Sequence, residues 1–293
     1  MIRNVTLIWL CLLPIFISAQ STVDLAAFYP LSGNARDLSG NGINGTLNGP
    51  VEALDRFSYP GSALTFDGIN DVIQVADDSR LRFGSDFTVM AWMNTNVEKT
   101  ATVVRKNYDF GGGGLASYRL EIAGNQTLIF EILTSDGTFK VEKINYPTNQ
   151  WILIAGRVTG NTMAIFVDGV KETEAMFTGN IQYDPGELLI GSRTQQFSNT
   201  FDGEIDDIKL FGRALSGTEI EDFFNQSCPD YFYLDGITAV DRTFSAKNLI
   251  EVENATINAG VMLGLQAPDV TLHPNVENLF SSQIDITVIN DCP

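Results

Sequence analysis

Oxygen-bearing side chains are concentrated among glycines in the segment DLSGNGING, which runs from Asp37 to Gly45. Calcium binds about six to eight oxygen atoms, many of them backbone carbonyls, and needs a chain that bends tightly. We therefore expect the Asp37 carboxylate and the carbonyl groups around Gly42 and Asn44 to form a structural Ca²⁺ site. The alternative is a tight turn held by side-chain-to-backbone hydrogen bonds, with no ion.

A second acidic turn, DGIND, connects two predicted strands. Its residues Asp67, Asn70 and Asp71 are candidates for ligand binding, although a hairpin connection chosen for its backbone geometry would use the same residue types. Tyr108 precedes a glycine-rich segment and is a candidate for stacking on a sugar ring, the alternative being an aromatic residue with no such role.

The charge of the chain excludes several classes of function. Lysine and arginine total 18 against 36 aspartates and glutamates, which gives a net charge of −18. Such a polyanion repels nucleic-acid phosphates and acidic membrane surfaces and attracts hard cations. His273 is the one histidine, so neither a histidine-based catalytic triad nor a multi-histidine zinc site can be built.

The sequence around these residues predicts many short strands separated by turns. Alternating or continuous apolar runs predict strands, and Asp-Gly, Gly-Asn and Pro-Gly pairs predict the turns between them. The run from Met163 to Val170 contains Asp168-Gly169 and predicts a tight hairpin. Ser216 and Glu219 form a capping box before one short helix, which would end the first domain near residue 226.

The N-terminus has the parts of a secretory signal over residues 1–19. Arg3 supplies the positive charge, Val5 to Ile17 the apolar run, and Ser18-Ala19 the small residues before the cleavage site. The apolar run is short for a membrane span, which needs about 20 residues. We therefore predict a secreted protein without membrane insertion.

The segment after residue 226 differs from the rest of the chain in the length and spacing of its predicted strands. Very short strands interrupted every few residues favour the stacked rungs of a small β-solenoid-like module over residues 227–293. Cys228 and Cys292 bracket this segment, and two cysteines in an exported chain usually pair, so we predict a disulfide between them. Two free thiols are the alternative.

Four stretches taken together resemble the laminin-G-like jelly-roll module of the concanavalin A-like lectin/glucanase superfamily. They occur in the order and spacing of that module across residues 20–226. These stretches are AFYPLSGNARDLSGNGING from Ala27, ALTFDGINDVIQV from Ala63 with FTVMAW from Phe87, NQW from Asn149 with IFVDG from Ile165, and FDGEIDDIKLFGRALS from Phe201.

The resemblance implies an all-β fold, a two-sheet antiparallel jelly-roll sandwich whose first and last strands meet. It also implies that the loop containing Asp37 lies near the acidic pair Asp206-Asp207, which adds one or both of these aspartates to the expected Ca²⁺ site. In calcium-dependent members of the superfamily, an acidic turn near Asp67–Asp71 can hold a ligand-bridging ion. The C-terminal segment looks more loosely like a solenoid cap of secreted bacterial proteins.

The glucanases of this superfamily place paired carboxylates on one strand, so Glu204 and Asp206 are tested for catalysis. Alternate residues of a strand share a face. Retaining hydrolysis also needs an acid/base, which these enzymes usually carry four or five residues after the first Glu. Ile208 and Lys209 occupy those positions here, so we predict that the protein is not an enzyme.

We therefore expect a secreted binding or adhesion module that recognises an extracellular glycan or a surface protein. Two alternatives stay open at this point. One is a glycan hydrolase with an incomplete carboxylate pair, and the other is a structural component of an extracellular assembly.

Overall fold

The structure, a computed structural model, describes residues 24–96, 98–108, 114–194 and 198–235, with short segments between 238 and 287. The predicted signal, His273 and Cys292 lie outside the described residues. Two antiparallel sheets stack as a sandwich, which confirms the predicted fold class. Of the described residues, no helix has the length and hydrophobicity needed to cross a bilayer.

The first sheet has eight strands, numbered in chain order. Its path runs β13, β12, β11, β6, β15, β4, β3, and β1 pairs with the end of β15. The strands are β1 Leu25–Tyr29, β3 Val51–Leu54, β4 Pro60–Asp67, β6 Phe87–Asn94, β11 Ile152–Thr159, β12 Thr162–Val167, β13 Val170–Met176 and β15 Asp202–Phe211.

The second sheet has seven strands in the order β10, β9, β8, β7, β14, β5, β2. They are β2 Gly45–Asn48, β5 Val72–Val75, β7 Ala101–Asn107, β8 Ala116–Ala123, β9 Thr127–Thr134, β10 Gly137–Ile144 and β14 Leu188–Ile190. Alternate apolar residues of both sheets meet between them and form the main core, as the sandwich geometry requires.

Closure of the sandwich occurs where β1 pairs with β15. Phe28 lies opposite Lys209 and Tyr29 opposite Ile208, so the first and last strands meet as expected. The predicted hairpin also forms, because β12 and β13 are joined by Asp168 and Gly169, both with positive φ (50° and 80°). A positive φ at both central residues is what a primed two-residue turn needs.

Helix α1, Gly217–Phe224, begins at the predicted capping box. The Ser216 side chain accepts from the Glu219 amide, and the Glu219 side chain accepts from the Ser216 amide. Ile220 and Phe223 of α1 pack on Phe211 and other apolar residues on the outer face of the first sheet. That part of the outer face is therefore covered.

The described parts of the C-terminal segment pair in parallel. Three sheets of three strands each are formed, ordered β16-β19-β22, β17-β20-β23 and β18-β21-β24. Stacked rungs would pair in this way, and the solenoid stays a prediction. The strands are β16 Tyr231–Asp235, β17 Thr238–Ala239, β18 Arg242–Ser245, β19 Leu249–Glu253, β20 Thr256–Ile257, β21 Met262–Gln266, β22 Asp269–Leu272, β23 Glu277–Asn278 and β24 Gln283–Thr287.

The spacing of the two sheets depends on a glycine at position 156 of β11. A Cβ atom there would lie 2.2 Å from Cδ2 of Phe130, which reaches across from the second sheet. We expect Gly156→Ala to lower the free energy of unfolding by about 1–3 kcal/mol, because overpacking displaces a buried ring. Urea denaturation measures this change.

Gly84→Ala is the matched control, because a Cβ atom there would have no neighbour within 4 Å. Its effect should stay within about 0.5 kcal/mol, or be slightly stabilising. Equal denaturation midpoints for the two variants would contradict the close packing at Gly156.

Candidate functional site

The middle of β15 is interrupted by a β-bulge. Asp206 lies opposite Trp92 of β6, but Lys209 lies opposite Met90, so two residues of β15 face the single residue between them. Asp207 has the left-handed φ of 45° that such a bulge uses. Consecutive residues of a regular strand point to opposite faces. The bulge instead allows Asp206 and Asp207 to contact one partner.

That partner is Arg56, from the turn between β3 and β4. Its Nη1 atom lies 3.0 Å from Oδ2 of Asp206 and 2.9 Å from Oδ2 of Asp207, and all three side chains are almost fully buried. The guanidinium stacks over the Trp92 ring at 4.5 Å. Burial, and then the neighbouring Asp207 carboxylate, raise the pKa of Asp206 well above its usual range.

A second cation, Lys209, extends this cluster to the start of the C-terminal segment. Its Nζ atom lies 3.1 Å from Oδ2 of Asp230 and 3.8 Å from Oδ1 of Asp207. The ammonium also sits over the Phe28 ring at 4.2 Å. The acidic pair is thus held by cations of the chain, which sequence reasoning did not identify.

The predicted calcium loop is held together by the Asp37 carboxylate. Its Oδ1 accepts from the amides of Phe28 and Ser39, and its Oδ2 from the Ile43 amide and the Ser39 hydroxyl, at 2.9–3.0 Å. The Asp37 amide donates to Oδ1 of Asn44 at 2.9 Å, so these two predicted residues do meet.

These contacts do not suit a cation. The hydrogens of four donors face the Asp37 oxygens, and Arg80 already donates to the carbonyl of Asn41, next to Gly42. Among the described residues, no group of three or more His, Cys, Asp or Glu side chains is placed to hold a metal ion. The carboxylates predicted to join Asp37, those of Asp206 and Asp207, are instead paired with Arg56. Calcium binding stays a prediction.

The acidic turn between β4 and β5 is also internally bonded. Oδ2 of Asp71 accepts from the Asp67 amide at 2.8 Å, and Oδ1 of Asp67 accepts from the amides of Ile69 and Asn70. The carbonyl of Gly68 accepts from Lys99 at 3.0 Å and from the hydroxyl of Thr200. The backbone of this turn is thereby fixed beside the end of β15, where Asp202 lies opposite Asp67.

Next to this turn, a row of polar side chains crosses three strands of the first sheet. Thr65 of β4 and Asn94 of β6 both lie directly opposite Glu204 of β15, so the three side chains share the outer face. All three are half-buried. In the part of the chain that the structure describes, their side chains make no hydrogen bond or ion pair to another residue. We call Thr65, Glu204 and Asn94 the polar row.

The polar row forms one wall of an open cavity of about 320 Å³, here called the polar pocket. Burial, with a contribution from Asp202, raises the pKa of Glu204. Amide, hydroxyl and carboxylate groups supply most of the lining, which includes Thr65, Asn94, Asn96, Asn149, Asp202 and Glu204. Sequence reasoning singled out Glu204 only as a catalytic candidate and missed Thr65 and Asn94.

The second sheet carries a row of charged side chains that differs from the polar row. Arg105 lies opposite Arg119, which lies opposite Glu131. Arg119 pairs with Glu121 and Glu131, each at 2.9 Å.

Tyr108 lies just after the C-terminal end of β7, whereas Lys99, which contacts the acidic turn, lies before its N-terminal end. About 20 Å of strand therefore separates Tyr108 from the acidic turn. The structure does not bring Tyr108 together with Asp67, Asn70 and Asp71.

Asp55, beside Arg56, makes stability depend on pH. Its Oδ1 accepts from the amides of Phe57 and Tyr59, and its Oδ2 has no hydrogen-bond partner among the described residues. Burial raises the pKa of Asp55 from 3.8 to about 6. The folded protein therefore holds this proton to a higher pH than the unfolded chain. The contribution of Asp55 to the free energy of unfolding falls as the pH rises from about 4 to about 6.

Asp55→Asn keeps an oxygen for both amides and removes this titration. The difference in free energy of unfolding, variant minus wild type, should increase by about 1–3 kcal/mol as the pH rises from 4 to 7. Urea denaturation at intervals across that range measures the difference. A difference that is the same at both ends of the range would contradict the raised pKa.

Arg56→Met tests the buried ion cluster. Removing the guanidinium leaves Asp206 and Asp207 buried without their main cation, so we expect a loss of about 3–5 kcal/mol at pH 7. The loss should shrink at pH 4, because burial raises the pKa of Asp206 and its carboxyl group is then protonated. Lys140→Met removes an exposed pair with Glu142 and should cost less than about 1 kcal/mol. Similar losses in both variants would contradict the cluster.

Several solved structures have a fold similar to that of this chain. The binding domain of Paraclostridial Mosquitocidal Protein 1 matches with a TM-score of 0.55 and 18% identity, over 70% of this chain and 52% of that one. Domain 4 of AbnA, a GH43 extracellular arabinanase from Geobacillus stearothermophilus, was solved with arabinotriose. It matches with a TM-score of 0.54 and 18% identity, over 69% of this chain and 98% of that one. The ligand binding domain of botulinum neurotoxin serotype D, in complex with N-acetylneuraminic acid, matches with a TM-score of 0.53 and 14% identity. The match covers 69% of this chain and 51% of that one.

At these identities the likeness concerns the fold, and the chain spans about half the length of the two toxin domains. No curated protein matches the chain. The Laminin_G_3 family, described as the concanavalin A-like lectin/glucanases superfamily, matches residues 67–221, which is more than half of the chain. The protein therefore belongs to the Laminin_G_3 family.

Proposed function

We propose that the protein is a secreted, non-catalytic module that binds carbohydrate in the polar pocket. The observation that carries the proposal is the polar row, three neighbouring side chains that form no hydrogen bond or ion pair with any other described residue. Buried polar groups are usually bonded within the fold, whereas these half-buried groups keep an open side on paired strands where a ligand can reach them. The hydroxyl groups of a sugar can donate to and accept from all three.

The size and lining of the pocket support a sugar. Its volume of about 320 Å³ lies at the lower end of the range for small-molecule sites. Carboxylate and amide groups bond to adjacent sugar hydroxyls, and a bond to the charged Glu204 contributes more than a neutral one. Two of the similar structures were solved with a sugar, which adds weight to carbohydrate as the ligand class.

The contacts of Asp206 argue against glycoside hydrolysis. A two-carboxylate mechanism needs both carboxyl groups to reach the scissile bond. Glu204 faces the pocket, but Asp206 is almost fully buried and paired with Arg56. Lys209, one of the two positions expected for an acid/base, is a cation held by Asp230. These contacts favour binding without cleavage.

Binding is tested with a panel of neutral oligosaccharides that includes arabinotriose, with N-acetylneuraminic acid as an acidic member. For the sugar that binds the wild type best, Asn94→Ala should weaken affinity about 5- to 50-fold, and Thr65→Val should weaken it less. Isothermal titration calorimetry measures both changes.

Thr138→Val, at an exposed position of β10 on the second sheet, is the control for Thr65→Val and should bind as the wild type does. Two results would overturn the proposal. One is a panel on which nothing binds the wild type, and the other is binding that neither Asn94→Ala nor Thr65→Val weakens.

A further inference from the structure

The polar pocket contains a carboxylate without a cation. Among the described residues, Glu204 forms no ion pair. Lys99 is close to this end of the sheet, but it donates to the Gly68 carbonyl at 3.0 Å and lies 3.9 Å from Oδ2 of Asp202. Asp202 also lines the pocket, and Lys99 partly compensates its charge, so Glu204 is the acid of the lining that has no cation among the described residues. The pocket is therefore electrostatically suited to a positive group on the ligand.

The residues on either side of Glu204 supply the right number of acceptors for such a group. An ammonium group has three N–H donors and no acceptor. The polar row presents the Thr65 hydroxyl, the Glu204 carboxylate and the Asn94 amide oxygen on three adjacent strands. Neighbouring positions of this kind lie about 5 Å apart, close enough for one ammonium group placed over Glu204 to reach all three.

The rest of the lining suits the ring of a sugar. Asn96 and Asn149 each offer an amide that both donates and accepts, as vicinal hydroxyl groups require. A carboxylated sugar would meet the unpaired Glu204 in a chain of net charge −18, so repulsion disfavours acidic sugars.

We infer that the polar pocket takes an amino sugar, with the ammonium group on Glu204 between Thr65 and Asn94. The inference rests on the proposed function and names the class of sugar that this pocket binds. In the folded protein, the ligand supplies the positive charge that Glu204 lacks.

The test compares the trimer of glucosamine with the trimer of N-acetylglucosamine by isothermal titration calorimetry on the full chain. The acetyl group removes the positive charge and leaves the ring hydroxyls in place. We expect the wild type to bind the glucosamine trimer at least about tenfold more tightly. In Glu204→Gln this preference should be lost, because the charge that the ammonium meets is gone.

Glu142→Gln, at an exposed acid of the second sheet, changes the net charge by the same amount and should keep the preference. Loss of the preference in that control as well would mean that the overall charge of the chain attracts the amine, which overturns the inference. Nα-acetyl-lysine is a third probe. If it binds as tightly as the glucosamine trimer and with the same dependence on Glu204, the assignment to a sugar is wrong.

The outcomes separate this inference from the proposed function. Equal binding of the two trimers, weakened by Asn94→Ala, would overturn the amino-sugar inference and leave a neutral carbohydrate site. Absence of binding by either trimer and by every other oligosaccharide would overturn both.

Discussion

The β-bulge at Asp207 is the constraint on which the rest of β15 depends. In a regular strand, Asp207 would face the core between the sheets, where an isolated carboxylate is very unfavourable. A left-handed residue other than glycine costs about 1–3 kcal/mol, and pairing with Arg56 offsets that cost. The bulge divides β15 into a first part that faces the polar pocket and a second part, from Lys209 onward, that contacts α1 and the C-terminal segment.

The neighbouring strands fix the position of the first part of β15. β4 and β6 pair with it on either side, so backbone hydrogen bonds fix the positions of Thr65, Glu204 and Asn94 before any ligand arrives. Groups on strands lose less conformational freedom on binding than groups on loops, which favours affinity for small polar ligands. The acidic turn contributes through the Gly68 carbonyl, which accepts from Lys99, the cation nearest to Asp202 of the pocket lining.

Local patterns were sufficient to predict the hairpin at Asp168-Gly169 and the capping box, because each depends on residues close in sequence. The two-sheet sandwich was predicted from the resemblance of four stretches to a known module. The partner of the acidic pair was not predictable, since Arg56 lies 150 residues before Asp206 and no glycine marks the bulge. The loop at Asp37 shows a different limit, because oxygen atoms among glycines serve metal coordination and amide bonding equally well. Thr65 and Asn94 look like ordinary strand residues until the register places them beside Glu204.

The distribution of cations links stability to binding. The chain has 18 lysines and arginines for 36 acids, and the structure places Arg56 and Lys209 on the deeply buried Asp206, Asp207 and Asp230. An unpaired charge costs most where water is absent, so these sites need their cations for folding. Glu204 is only half-buried and remains hydrated enough to stay unpaired. Within the described fold its carboxylate accepts only from its own backbone amide, so its charge can still select a ligand.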